Sequence, residues 1–189
     1  MMAPTPTPPS VAMPRTIPPP DDFRRVIGHF ASGVTVVSTW RDGRPCGTTV
    51  SAVSSLSLDP PMLLVCMNER SATARAISAS GHFAVNILRE DQAATAERFA
   101  RKGDDKFAGV PICREPGGLP LLVGALATLE CRVVREVVGG THSVFLAEVD
   151  RARARAGSPL AYFRGRLGSL DDALWSPTPQ RATAREEDR

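Results

Sequence analysis

The densest run of reactive side chains is Gly47-Thr48-Thr49-Val50-Ser51-Ala52-Val53-Ser54-Ser55-Leu56-Ser57, where six hydroxyls fall within ten residues, just ahead of Leu58-Asp59-Pro60-Pro61. Strand alternation would send Thr49, Ser51 and Val53 to one face, and small side chains there let a flat ligand or a phosphate lie close to the backbone. A solvated Ser/Thr-rich edge strand would be written with the same residues. Ser71-Ala72-Thr73 follows Asn68-Glu69-Arg70 at the expected start of a helix, where hydroxyls and free N–H groups suit a phosphate as well as an ordinary cap. Asp104-Asp105-Lys106-Phe107-Ala108-Gly109 sets a cation and an aromatic beside a turn, able to pair with a phosphate and pack on a ring, or to form a plain loop. His142, one of three histidines, opens a strand after Gly139-Gly140-Thr141, as an orienting group or as an exposed structural residue. Tyr162-Phe163-Arg164-Gly165-Arg166 joins two aromatics to two guanidiniums, which can stack on a base or nicotinamide ring and hold pyrophosphate, or close a strand with solvated arginines.

These residues need a scaffold, and the surrounding pattern supplies mostly strands. Val-Thr-Val-Val-Ser-Thr-Trp from Val34 is β-branched, and Arg-Asp-Gly-Arg-Pro at 41–45 carries turn chemistry, so a hairpin is expected. Further strands are expected at Met62–Met67, Phe83–Leu88, Ala125–Val138 and His142–Val149, with short helices near Ala72–Ala79 and Asp91–Arg101. Asp21 and Asp22 precede Phe23, Val26, Ile27 and Phe30, which predicts a short amphipathic helix with an acidic first turn. Gly139-Gly140 joins two long strands directly, and the helices interrupt irregularly. An antiparallel barrel fits this pattern better than regular βαβ winding.

Length and composition narrow the function. The 189 residues allow one domain, expected at 21–170, between a disordered Pro-rich segment at 1–20 and a disordered charged tail at 171–189. A net charge of +3 with scattered arginines gives no nucleic-acid footprint. No apolar run is long enough to span a bilayer and no signal-like core stands near the start, so a cytoplasmic protein without a membrane partner is expected. Cys46, Cys66, Cys113 and Cys131 are widely spaced with no C-x-x-C pair or histidine cluster, which predicts buried free thiols and no metal site. No G-x-G-x-x-G turn, P-loop or nucleophile elbow is present.

In order and spacing, several segments together resemble the flavin reductase-like family, the short-chain reductase components of two-component flavin monooxygenases. They are Phe23-Arg24-Arg25-Val26-Ile27-Gly28-His29-Phe30-Ala31-Ser32-Gly33-Val34-Thr35-Val36-Val37, Leu58-Asp59-Pro60-Pro61, Gly81-His82-Phe83-Ala84-Val85-Asn86-Ile87-Leu88, Arg98-Phe99-Ala100, Asp105-Lys106-Phe107-Ala108-Gly109, Leu126-Ala127-Thr128-Leu129-Glu130-Cys131 and Pro159-Leu160. The resemblance implies a mainly β fold with short helices, a split β-barrel of the FMN-binding Greek-key type, forming a homodimer. It also implies FMN or FAD bound near the subunit interface, reduced by NADH or NADPH and released to a flavin-dependent monooxygenase. Carried over by motif, Gly47, Thr48, Thr49, Ser51 and Ala52 would line the isoalloxazine, and Ser54, Ser55, Ser71 and Thr73 would hold the ribityl phosphate. Asn68, Phe99 and Lys106 would complete the pocket. His142, in a catalytic orienting role, and Phe163, Arg164, Gly165 and Arg166 would meet the nicotinamide nucleotide. The chain departs from the family pattern at Ser51-Ala52-Val53 (usually Asn-Ser-Phe), at Thr141 (usually Asp) and at Leu167 (usually aromatic). Two other readings use the same scaffold: a flavoprotein that retains FMN and reduces another substrate, and a non-enzymatic flavin-binding module.

Overall fold

The structure is a computed structural model that describes residues 16–170 apart from 104 and 114–117. The expectations for residues 1–15, for the tail at 171–189 and for Asp104 lie outside the described residues. Helix α1 (Pro20–Ile27) starts on a proline and carries the ion pairs Arg24–Asp21 and Arg25–Asp22, yet buries none of its residues. Then come β1 (Ser32–Gly33) and the hairpin of β2 (Thr35–Arg41) and β3 (Arg44–Val50). Asp42 and Gly43 between them both have positive φ, 52° and 74°, as a two-residue primed turn requires. The chain continues through β4 (Val53–Leu58), β5 (Pro61–Asn68), α2 (Ala72–Ser80) and β6 (His82–Ile87). The expected second helix is divided: a 3-10 turn (Glu90–Gln92) leads into α3 (Ala93–Ala100). After β7 (Ile112–Cys113) and β8 (Leu121–Leu122), the long strands β9 (Ala127–Gly139) and β10 (His142–Ala154) form a second hairpin, and β11 (Leu160–Phe163) and β12 (Arg166–Ser169) a third.

Seven strands form one antiparallel sheet in the order β3-β2-β6-β9-β10-β5-β4. Its two edges are β3 and β4, which a flat sheet would hold six spacings of about 4.8 Å apart, roughly 29 Å. Val50 and Val53 are only three residues apart, a reach of about 11 Å at most. The sheet therefore curls until its edges meet at Ser51 and Ala52, where the Ala52 carbonyl accepts a hydrogen bond from the Cys66 amide at 2.9 Å. No ladder joins β3 to β4, so the expected barrel is a curled sheet with its edges in register only at that corner. The continuous hydroxyl-rich strand expected over 47–57 is likewise broken there into two strands on opposite edges.

Alternation along the strands feeds two cores. Val37, Val65, Phe83, Val85, Cys131 and Phe145 point to the concave side with Ala74 and Ile77 of α2, which closes one end of the curl. Val36, Leu88, Ala96, Phe99, Leu122 and Leu160 form the second core, outside the sheet, beneath α3 and the small sheet β1-β11-β12. A buried polar cluster pins the 118–125 segment to this outer face. Asn86 donates to the Val36 carbonyl (2.9 Å) and to Ser38 Oγ (3.0 Å) and accepts from the Leu122 amide (2.8 Å), while Ser38 donates to the Pro120 carbonyl (2.7 Å). Every buried polar atom of the cluster is paired, as a low-dielectric interior demands.

The cysteines differ from expectation. Only Cys131 is buried; Cys46 and Cys66 are half-buried and Cys113 is exposed, because the short β7 lies at the surface. Burial, helped by the nearby carboxylates of Asp150 and Glu130, pushes the Cys131 thiol up to about 12. Among the described residues, no helix is long and apolar enough to cross a membrane.

Candidate cofactor-binding site

The hydroxyls of the Thr48-Thr49 pair reach a helix end. Thr49 donates to the Ala96 carbonyl (2.6 Å) and Thr48 to the Phe99 carbonyl (3.4 Å). Lys106 Nζ joins them, donating to the Phe99 carbonyl (2.9 Å) and to the Gly47 carbonyl (3.3 Å). The Phe99 carbonyl is among the last four of α3, which have no amide partner within the helix, and a cation there opposes the negative end of the helix dipole. These three side chains therefore fix α3 against β3. Phe99 itself is fully buried and meets the Phe107 ring edge-on at 4.7 Å, so its ring belongs to the outer core and only its carbonyl is turned toward Lys106. Gly47 is small for the same reason: a Cβ there would stand 3.0 Å from the Val37 carbonyl and 3.2 Å from the Phe107 ring.

Two cavities open on either side of this joint. The smaller, about 50 Å³, is lined by Gly47, Ser71, Ala72, Thr73 and Lys106, with Arg41 at its wall. Ser71 stands at the N-terminus of α2, and its hydroxyl makes no capping bond, so the first amides of the helix keep their donors for whatever enters. A lysine, an arginine and an uncapped helix N-terminus around a small space are a donor set suited to a phosphate. The larger cavity, about 760 Å³, is bounded by Thr49 and Ser51 on one side, by Ala93, Ala96, Glu97 and Ala100 of α3 on another, and by Tyr162, Gly165 and Arg166 opposite. Small side chains at i, i+3 and i+7 of α3 leave a flat, roomy wall that a planar ring system fits, with one guanidinium and one carboxylate at the rim.

The remaining predicted residues divide. Ser54 and Ser55 lie on β4 and share with Ser51, at the corner before it, a third opening of about 460 Å³ at the end of the curl opposite α2. They stand apart from Ser71 and Thr73, with which they were expected to share one phosphate. Ala52 is exposed and contributes its carbonyl to the corner. Asn68 and His142 face each other across β5 and β10, outside the lining of these cavities. Asn68 Oδ1 accepts from the Arg70 amide (2.9 Å), and His142 Nδ1 lies 3.0 Å from Thr141 Oγ1. Phe163 packs edge-on to His29 and Arg164 donates its amide to the Gly28 carbonyl, so this half of the hairpin tip holds α1 while Gly165 and Arg166 face the cavity. Sequence reasoning missed Arg41 and Glu97 as site residues. Glu97 had a signal, since it shares its helix face with Ala93, Ala96 and Ala100; Arg41 had none, because it meets Ser71 and Thr73 only through the fold.

Comparison with known proteins gives this arrangement a context. The model of the flavin reductase like domain matches residues 27–171. Over 160 residues the chain is 51% identical to the reductase component of a 4-nitrophenol 4-monooxygenase/4-nitrocatechol 2-monooxygenase from Rhodococcus opacus, covering 83% of this chain and 86% of that protein. The crystal structure of a nitrilotriacetate monooxygenase component B homologue from Mycobacterium thermoresistibile superposes with a TM-score of 0.81 at 36% identity, covering 86% of this chain and 93% of that one. The NADH:FAD oxidoreductase SgcE6 of Streptomyces globisporus, solved with NAD and FAD fragments, gives 0.78 at 33% identity, covering 85% and 99%.

Proposed function

Because the chain belongs to the flavin reductase-like family, we propose that it is an NAD(P)H-dependent flavin reductase that supplies reduced FMN or FAD to a separate flavin-dependent monooxygenase. The observation that carries the reading is the joint at Gly47 to Ser51. One short stretch of strand borders both a small cation-lined space and a large flat-walled one. Ser71, Thr73 and Lys106 would hold the flavin phosphate, and Thr49, Ser51 and the small face of α3 would line the isoalloxazine. Arg166 and Gly165 would hold the nicotinamide nucleotide from the opposite wall, and His142, which lines neither cavity, would orient a part of it that reaches beyond them.

Bound together, a reduced nicotinamide and an oxidised flavin supply the hydride transfer between them. The protein contributes placement. Thr48, Thr49 and Lys106 hold α3 at a fixed distance from β3 and so set the width of the large cavity. The Lys106 ammonium and the α2 amides would donate to the phosphate, and Tyr162 and Leu167 would line the ring side of the large cavity. No side chain is needed as a nucleophile. A cytoplasmic location and a homodimer with flavin near the subunit boundary belong to the same proposal.

The test follows nicotinamide absorbance when purified protein meets NADH or NADPH in air, with and without added FMN, FAD or riboflavin. Oxidation that requires added flavin and saturates with it is expected. Stoichiometric flavin surviving gel filtration would replace this reading with a flavoprotein that keeps its cofactor; flavin binding without oxidation of either nicotinamide would leave only a binding module.

A further inference from the structure

The small cavity differs from the large one in charge as well as in size. Among the described residues that line it, Arg41 and Lys106 are cationic, the Cys46 thiol is the remaining titratable group, and no carboxylate is present. These groups arrive from separate elements. Lys106 comes from the loop after α3, Cys46 and Gly47 from β3, Ser71 and Thr73 from the head of α2, and Arg41 from the last position of β2. Arg41 pairs with Arg44 where that hairpin closes, and the positive φ of Asp42 and Gly43 fixes the turn between them, so the backbone itself sets where the Arg41 side chain starts.

Two full positive charges and the partial charge of a helix N-terminus exceed what a singly charged phosphate needs and match a doubly charged one. The size agrees with the charge. A space of about 50 Å³ holds roughly three to five water-sized groups, which the three terminal oxygens of a phosphate monoester fill. A second phosphate and an adenosine find no counterpart in this wall. Its aromatic residue among the described ones, Phe107, is taken up by Phe99, which it meets edge-on at 4.7 Å, and by Gly47, which lies against its ring.

We infer that this end of the site selects a flavin ending in a phosphate monoester, FMN, over FAD, and that Arg41 is the residue that sets the preference. The inference rests on the flavin reductase reading above and narrows its substrate. Above a second pKa of about 6 a phosphate monoester carries two negative charges, whereas the phosphate next to the ribityl chain of FAD is doubly esterified and carries one. Lys106 already ties the Gly47 and Phe99 carbonyls, and its charge answers one negative charge. Arg41 answers the second. Removing Arg41 therefore weakens FMN and spares the flavins that lack the dianion.

Dissociation constants of the purified full chain for FMN, FAD and riboflavin, read from the flavin fluorescence near pH 5.5 and pH 7.5, test the assignment with wild type, Arg41→Gln and Arg41→Lys. At the higher pH wild type should bind FMN about tenfold or more tighter than FAD or riboflavin. Protonation of the phosphate should weaken FMN about fourfold at the lower pH and leave the other two flavins unchanged. Arg41→Gln should lose about tenfold for FMN and flatten its pH dependence, with riboflavin binding unchanged as the sign of an intact fold; Arg41→Lys should keep both the preference and the pH dependence. FAD bound as tightly as FMN, FMN affinity indifferent to pH, or an Arg41→Gln loss shared equally by all three flavins would each overturn the inference. The two readings fail separately. FMN selectivity without nicotinamide oxidation would remove the reductase and leave this inference standing, and flavin-dependent oxidation with equal affinity for FMN and FAD would do the reverse.

Discussion

The small cavity at the head of α2 and the large one beside β12 share strand β3, yet they are walled in different ways. Around the small one, much of the wall is held by hydrogen bonds or core packing: Lys106 ties two carbonyls, Gly47 lies against Phe107, and Thr73 is buried in α2. Around the large one, the far wall is a hairpin tip whose Arg164 and Gly165 turn at φ 49° and 81° and whose side chains are exposed. A preformed end costs little to occupy, because its groups are already ordered. A loosely walled end can admit and release a second molecule. The pairing of one fixed and one yielding end is what sequential use of two nucleotides calls for.

Lys106→Met should have the largest effect, since it strips a charged donor from two carbonyls and from the small cavity. A loss of about 1–3 kcal/mol per such bond corresponds to a tenfold to hundredfold rise in KM for FMN. KM for riboflavin, which lacks the phosphate, should rise much less; equal rises would mean that the two ends do not divide the work as described. Gly47→Ala comes next. Its Cβ must displace Phe107, costing about 1–3 kcal/mol, to be read as a lower Tm together with weaker flavin binding. On the yielding side, Arg166→Ala should raise the nicotinamide KM by about tenfold or less, as expected of an exposed charge, and leave flavin affinity nearly unchanged. His142→Ala should do the same more weakly, and unchanged constants for both substrates would remove His142 from the site.

Cys131, outside both cavities, should leave activity untouched near neutral pH. Its folded pKa lies above the ordinary value of 9.0, so the folded state holds a proton that the unfolded state gives up, and stability should fall between pH 9 and about 12. Cys131→Ala should flatten that fall in alkaline unfolding curves, and thiol reagents should label Cys113 well before Cys131.

What the sequence disclosed follows from how locally each feature is determined. Asp42-Gly43 and Gly140 announce their hairpins because these residue types accept positive φ, and the β5 and β10 strands alternate as half-buried strands must. The break at Ser51-Ala52 has no glycine or proline to mark it; it exists because the strands on either side pair with β2 and β5. For the same reason Thr48 and Thr49 read as ligand hydroxyls, when their acceptors are carbonyls of a helix some fifty residues on. Phe99 was expected at the pocket and lies in the core, because the face of α3 that meets the sheet is set by Phe107 and β3. Strands of two to four residues, such as β1, β7, β8, β11 and β12, are too short for periodicity to register.

The corner at Ser51 and Ala52 also bears on how the molecule assembles. The hairpins β2-β3, β4-β5 and β9-β10 each close a short loop and can form early, whereas joining β6 to β2 and β9, and β10 to β5, closes long ones. The bend at 51–52 links the two edge strands, β3 and β4, whose neighbours β2 and β5 are joined only through β6, β9 and β10, and the β10–β5 ladder sets His142 opposite Asn68. A flavin that binds only the folded site would draw the folding equilibrium toward the finished molecule.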